Sequence, residues 1–181
     1  MMRPVTPEFS RLIPVDRIPD SGLDEPIEAD ETERAALAQR FDLPEILSFA
    51  AEFHITPWRR GRIHVQGSVT AELVQRCVIT LDPFPVELVF PVERFFIAEG
   101  ARHDHVEELE GDEPDIVNGG AIDLGELAAE ELALNIDPYP RKPGADMAAE
   151  FGGVQPENEQ PRRASPFAAL GKLVKSKDRG E

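Results

Sequence analysis

The chain has 181 residues, 41% of them apolar, with 35 acidic side chains against 19 Lys and Arg and a formal charge of −16; its length suits one ordinary domain plus tails, and its charge argues against sequence-independent binding to duplex DNA or anionic lipid. A single Cys excludes an internal disulfide framework and a cysteine-only zinc site, and fits a reducing compartment. No apolar run approaches the roughly 20 residues that span a bilayer and the start of the chain lacks a basic-then-apolar signal pattern, so a soluble cytoplasmic protein is expected.

Phe9 to Val15 reads as a short edge strand, because Pro14 cannot donate to a ladder. Asp16 to Pro26 reads as loop. Asp30 with Glu33 forms a capping-box pattern ahead of the helix formers Ala35 to Phe41, with Leu37 and Phe41 on one face and Pro44 just beyond its end. Ile46 to Trp58 is apolar-rich and reads as a strand, although a helix through Phe49 fits as well. From Arg62 to Leu81 the residues alternate: Ile63, Val65, Val69, Ala71, Leu73, Cys77 and Ile79 on one parity, Arg62, His64, Gln66, Ser68, Thr70 and Glu72 on the other. That is a strand with one dry and one wet face, long enough that a bend or a break near Gly67 is expected. After the turn Leu81-Asp82-Pro83, Phe84 to Ala98 completes an antiparallel hairpin.

Glu99 to Asp115 holds eight carboxylates and almost no apolar residues, and is expected to be a mobile acidic loop. Asp123 then caps a second helix, to about residue 135, with Glu126 reaching back and Leu124, Leu127, Ala128 and Leu134 as its buried stripe; Pro138 and Pro140 end it. The domain therefore spans 1–140, followed by a Pro- and Gly-rich linker over 141–166 and an amphipathic basic segment over 167–177. Residues 161–181 carry a net +4, which leaves −20 on residues 1–160. The fold class is α+β: an antiparallel sheet under two helices, with a small, partly closed barrel as the alternative.

Few clusters carry chemistry. His103-Asp104-His105 offers metal-ligand atoms but has no apolar anchor to fix them, and reads as a solvated charge run. Cys77 with His54 or His64 has no identifiable third group or oxyanion donor, and its place on the apolar parity reads as a packed thiol. Trp58-Arg59-Arg60-Gly61-Arg62 joins arginines to an aromatic ring, a plausible RNA contact set; the other reading is a hairpin turn whose arginines pair with nearby carboxylates. Phe167, Leu170 and Val174, with Lys172 and Lys175, could form a docking helix, fold back onto the sheet, or stay disordered. No phosphate loop, dinucleotide fingerprint, zincin motif or nucleophile elbow is present, so no enzyme is expected.

The order Val65-x-Gly67-x-Val69-x-Ala71, then Arg76-Cys77 ahead of Asp82-Pro83-Phe84, then Asp123-Leu124-Gly125-Glu126-Leu127, then Pro166-Phe167-Ala168-Ala169-Leu170 and Leu173, resembles the YceD family of large ribosomal RNA subunit accumulation proteins over about residues 46–175. The resemblance implies a non-enzymatic cytoplasmic role in synthesis, processing or accumulation of large-subunit ribosomal RNA. Many members carry further Cys residues that suggest a metal knuckle; here those stretches read Leu73-Val74-Gln75 and Tyr139 to Ala145, so no metal or other cofactor is expected. The partners this implies are a large-subunit precursor or its RNA, with Trp58, Arg59, Arg60, Arg62, Arg76 and the 167–175 segment as contacts. The alternative partner is a basic ribosomal protein drawn to the acidic body. No membrane or small-molecule substrate is expected.

Overall fold

The structure, a computed structural model, describes residues 7–98, 114–117 and 119–145, without the side chains of Arg60 and Ala98. In chain order the elements are β1 (Leu12–Pro14), β2 (Leu23–Glu28), α1 (Glu31–Arg40), β3 (Glu45–Trp58), β4 (Arg62–Arg76), β5 (Pro83–Ala98), β6 (Asp115–Val117), β7 (Ala121–Asp123) and α2 (Leu124–Asn135), with 3-10 turns at Val15–Arg17 and Arg59–Gly61. The strands β2-β3-β4-β5-β6 form one sheet, antiparallel except for the parallel β5–β6 edge, and β1 pairs with β7 in a separate antiparallel ribbon. The α+β expectation holds. The five strands lie in an open row, so the partly closed barrel is not what forms.

The long meander follows from parity. Ile63, Val65, Val69, Ala71 and Leu73 of β4 stand opposite Phe53-side residues of β3 and Phe96, Phe90, Leu88 and Val86 of β5, all on one face. That face packs against Leu37 of α1 and Leu124, Leu127 and Leu132 of α2 to make the core. Shifting any of these strands by one residue would turn its dry side to water, so the register is strongly specified.

Four sequence expectations change. β4 runs unbroken through Gly67; the irregularity lies instead in β3, where the register slips between Ile46 and Ser48. Gly67 is needed for a close approach, since a Cβ there would overlap the Glu52 carbonyl oxygen and lie 2.8 Å from Cδ1 of Phe53. β4 also ends at Arg76 rather than Leu81, because the Cys77 amide turns to the Asp82 carbonyl at 2.9 Å and Leu81 takes a positive φ of 63°. Leu23–Glu28 is an edge strand, although Asp16 to Pro26 was expected as loop; its two apolar residues and Pro26 give a weak signal that pairing with β3 overrides. In α2 the buried stripe runs Leu124, Ala128 and Leu132 at four-residue spacing, while Leu134, in the last turn, is 72% exposed.

The capping box of α1 forms in both directions: the Glu33 amide donates to Asp30 and the Asp30 amide to Glu33, each at 2.9 Å. The Glu33 carboxylate also takes a two-pronged bond from Arg11, at 2.7 and 2.9 Å, which holds that carboxyl below its ordinary range. At α2, Asp123 accepts from the amides of Gly125 and Glu126, from the Ser10 hydroxyl at 2.6 Å and from the Arg11 amide at 2.8 Å. The expected return bond from Glu126 is absent among the described residues; its carboxylate reaches Arg40 of α1 at 2.8 and 3.0 Å. Arg94 sits on the dry parity of β5 and is neutralised by Glu131 of α2 at 2.7 Å, which raises its already high pKa. Pro26 in the edge strand β2, and Pro85 and Pro91 in the stretch of β5 that β6 does not pair, limit the free donors on the open sides and discourage edge-to-edge pairing.

Two substitutions test this architecture. Gly67→Ala should cost about 1–3 kcal/mol by overpacking against the β3 backbone, read as a lower urea midpoint with an unchanged slope. An unchanged midpoint would show that β3 and β4 separate easily. Asp123→Ala should cost about 2 kcal/mol, the upper end for a lost cap, because Ser10 and the Arg11 amide lose their acceptor too.

Candidate interaction surface

Both helices cover the dry face, so the wet parity of the sheet lies open among the described residues. Two rows cross it side by side: Asp24–His54–Gln66–Glu93 and Pro26–Glu52–Ser68–Pro91, running from β2 to β5. Together they line a shallow open trough of about 750 Å³. Further along the same face Glu72 stands opposite Glu87, and Thr70 opposite Val89. The His54 imidazole is bonded to Asp24 through Nδ1, and the His64 imidazole to Glu93 through Nε2 at 2.8 Å.

At the β3–β4 turn the face changes character. Trp58 stands opposite Arg62, and His64 opposite Phe95. The His64 and Phe95 rings stack with centroids 4.5 Å apart and 12° between planes, and Trp58 tilts against both at 5.4 and 6.1 Å. This stack explains how His64 tolerates burial to 9% exposure while Trp58 remains 49% exposed. Arg59 is exposed beside it, in the 3-10 turn. Among the described residues neither Arg59 nor Arg62 forms an ion pair; the carboxylates from Glu99 to Glu113 lie outside those residues.

The structure therefore brings Trp58, Arg59 and Arg62 together, with the backbone of Arg60 in the same turn. Arg76 is not with them. It lies at the other end of β4, roughly 45 Å away along an extended strand, where it borders a second hollow of about 460 Å³ with Phe41, Gln75, Ile136 and Pro140. His103, Asp104, His105, Phe167, Leu170, Lys172, Val174 and Lys175 lie outside the described residues. What sequence reading missed is the extent of the acidic face. Its β4 residues were visible as a wet parity, but Asp24, Glu52, Glu87 and Glu93 join them only through strand pairing.

Cys77 is fully buried, as its residue type suggested, but in the loop after β4 rather than on the strand. His64 and His54 pair near the opposite end of β4, some tens of ångströms from the thiol along the strand. They cannot serve it as a base. The Thr80 amide dominates the thiol's surroundings; burial opposes it, and the Lys142 amide, the Thr80 hydroxyl and the Ile79 amide add to it, leaving a pKa of about 7. The Ile79 amide donates to Sγ at 3.4 Å. The thiol thus anchors the loop between β4 and β5 to the segment after α2, where the Val78 amide also donates to Pro140.

A sheet buried on one side beneath capped helices and, among the described residues, open and charged on the other defines an α+β domain. The family model described as large ribosomal RNA subunit accumulation protein YceD matches residues 65–174. The chain belongs to that family. No curated protein and no solved structure matches it. Among the described residues no helix is long and apolar enough to cross a membrane.

The Cys77 loop carries a pH signature. A thiol more acidic when folded than when unfolded adds stability above its unfolded pKa and loses that contribution as pH falls through its folded one. Stability of the parent chain should therefore rise between about 7 and 9, and Cys77→Ser should lack that rise in urea titrations under reducing conditions. Superimposable pH profiles would show that the thiol does not ionise in this range.

Proposed function

We propose that the chain is a non-enzymatic cytoplasmic factor in the synthesis, processing or accumulation of large-subunit ribosomal RNA. The observation that carries this reading is family membership across β4, β5 and α2. Among the described residues Cys77 has no nucleophile–base partner, which is compatible with a role in binding. Trp58, Arg59 and Arg62 support a direct RNA contact, since an exposed indole beside guanidinium groups offers stacking and phosphate pairing at one point.

A second reading is favoured by the open face: an escort for a basic protein of the large subunit. Carboxylates outnumber the cations on that face, and such a field attracts a basic protein more readily than RNA. In both readings a strain lacking the gene should show a reduced ratio of large- to small-subunit ribosomal RNA, and the protein should co-sediment with large-subunit precursors. A normal ratio with no precursor association would exclude both. Affinity capture with and without ribonuclease separates them. A basic large-subunit protein retained after digestion identifies the escort, and loss of every partner identifies RNA contact.

A further inference from the structure

The helix-free face contains an opposition that the described chain does not relieve. Glu72 and Glu87 are exposed and stand directly across from one another on β4 and β5, and like charges in direct cross-strand register destabilise a sheet. Among the described residues neither has a basic partner, and nor does Glu52 on the same face. Among the described residues Asp24 and Glu93 hold only imidazoles. The same face exposes apolar surface: Val89 is 66% and Trp58 49% accessible, and Pro26 and Pro91 rim the trough.

We propose that this sheet face docks a lysine- and arginine-bearing segment of a protein partner, a deepening that rests on the escort reading above. The cations would sit over Glu72, Glu87 and Glu52, removing the like-charge opposition, while aliphatic stems lie on Val89 and the proline rims. RNA fits this part of the face badly, because its phosphates would meet the same carboxylates. A second copy fits badly too, because two such faces would oppose like charge with like. The arginines beside Trp58 bound the face at one end, so a basic segment would lie away from that turn.

The test uses the full chain and the double variant Glu72→Gln/Glu87→Gln. The control, Asp16→Asn/Asp20→Asn, removes the same charge at exposed positions away from the sheet. The probes are a short fluorescein-labelled arginine–serine repeat peptide and an oligouridylate. Relief of the opposed carboxylates should raise the melting temperature of the face variant by about 1–4 °C. The same change should weaken peptide binding by about tenfold, and the control should stay within about twofold on both measures. Equal weakening in the two variants would reduce the attraction to net charge and overturn the site. A lowered melting temperature, saturable oligouridylate binding that the face variant abolishes, or dimerisation in sedimentation that it abolishes would each overturn the occupant. In cells the two levels separate. If no basic large-subunit protein survives ribonuclease with the parent chain, the escort reading fails; if one survives and the face variant retains it equally, only this face is excluded.

Discussion

The register of three long strands governs this molecule. β3, β4 and β5 have 14, 15 and 16 residues, and each sends one parity into the core and the other to solvent. A sheet of this length has two faces to satisfy, but the helices cover only one. Hydrophobic burial therefore determines both outcomes at once: the dry parity recruits Leu37, Leu124, Leu127 and Leu132, and the polar parity becomes the exposed surface.

What fixes the covering layer is polar. Asp123 ends β7, caps α2 and takes bonds from Ser10 and Arg11, so one carboxylate joins the start of the described chain to its second helix. Gly125 permits the crossing, since a Cβ there would stand 2.6 Å from the Phe9 carbonyl oxygen. Phe9 enters the core on this path and meets the Phe49 ring edge-on at 5.5 Å. Arg11 and Arg40 then tie α1 to the N-terminal segment and to α2 through Glu33 and Glu126. These partly buried, multiply bonded pairs are of the kind that contributes most among surface ions.

The residues that carry the family likeness turn out to have structural duties. Gly67 lets two backbones meet, Cys77 organises the turn after β4, and Asp123 caps α2. None of the three presents a reactive group to solvent. At these three positions the motifs identify the scaffold, whereas Trp58, Arg59, Glu72 and Glu87 of the open face lie outside the motifs. That division is common where function resides in sites placed on a fold rather than in the fold itself.

Local chemistry was enough to read the capping box of α1, the cap of α2, the alternation of β4 and the hairpin that follows, because each depends on residues close in sequence. The strand character of Leu23–Glu28 and the β6 edge at Asp115–Val117 were not legible, because each depends on pairing with another strand, and the end of β4 at Arg76 was not, because it depends on the backbone geometry of the Cys77–Asp82 turn. The same limit applied to Glu126, whose spacing suited a return bond to the Asp123 cap but which meets Arg40 across the helix pair. Above all, charge along the chain showed an acidic body but not where the acids gather. Pairing across β2, β3, β4 and β5 put Asp24, Glu52, Glu72, Glu87 and Glu93 on one face that no described element covers, since only strand register decides which distant side chains become neighbours.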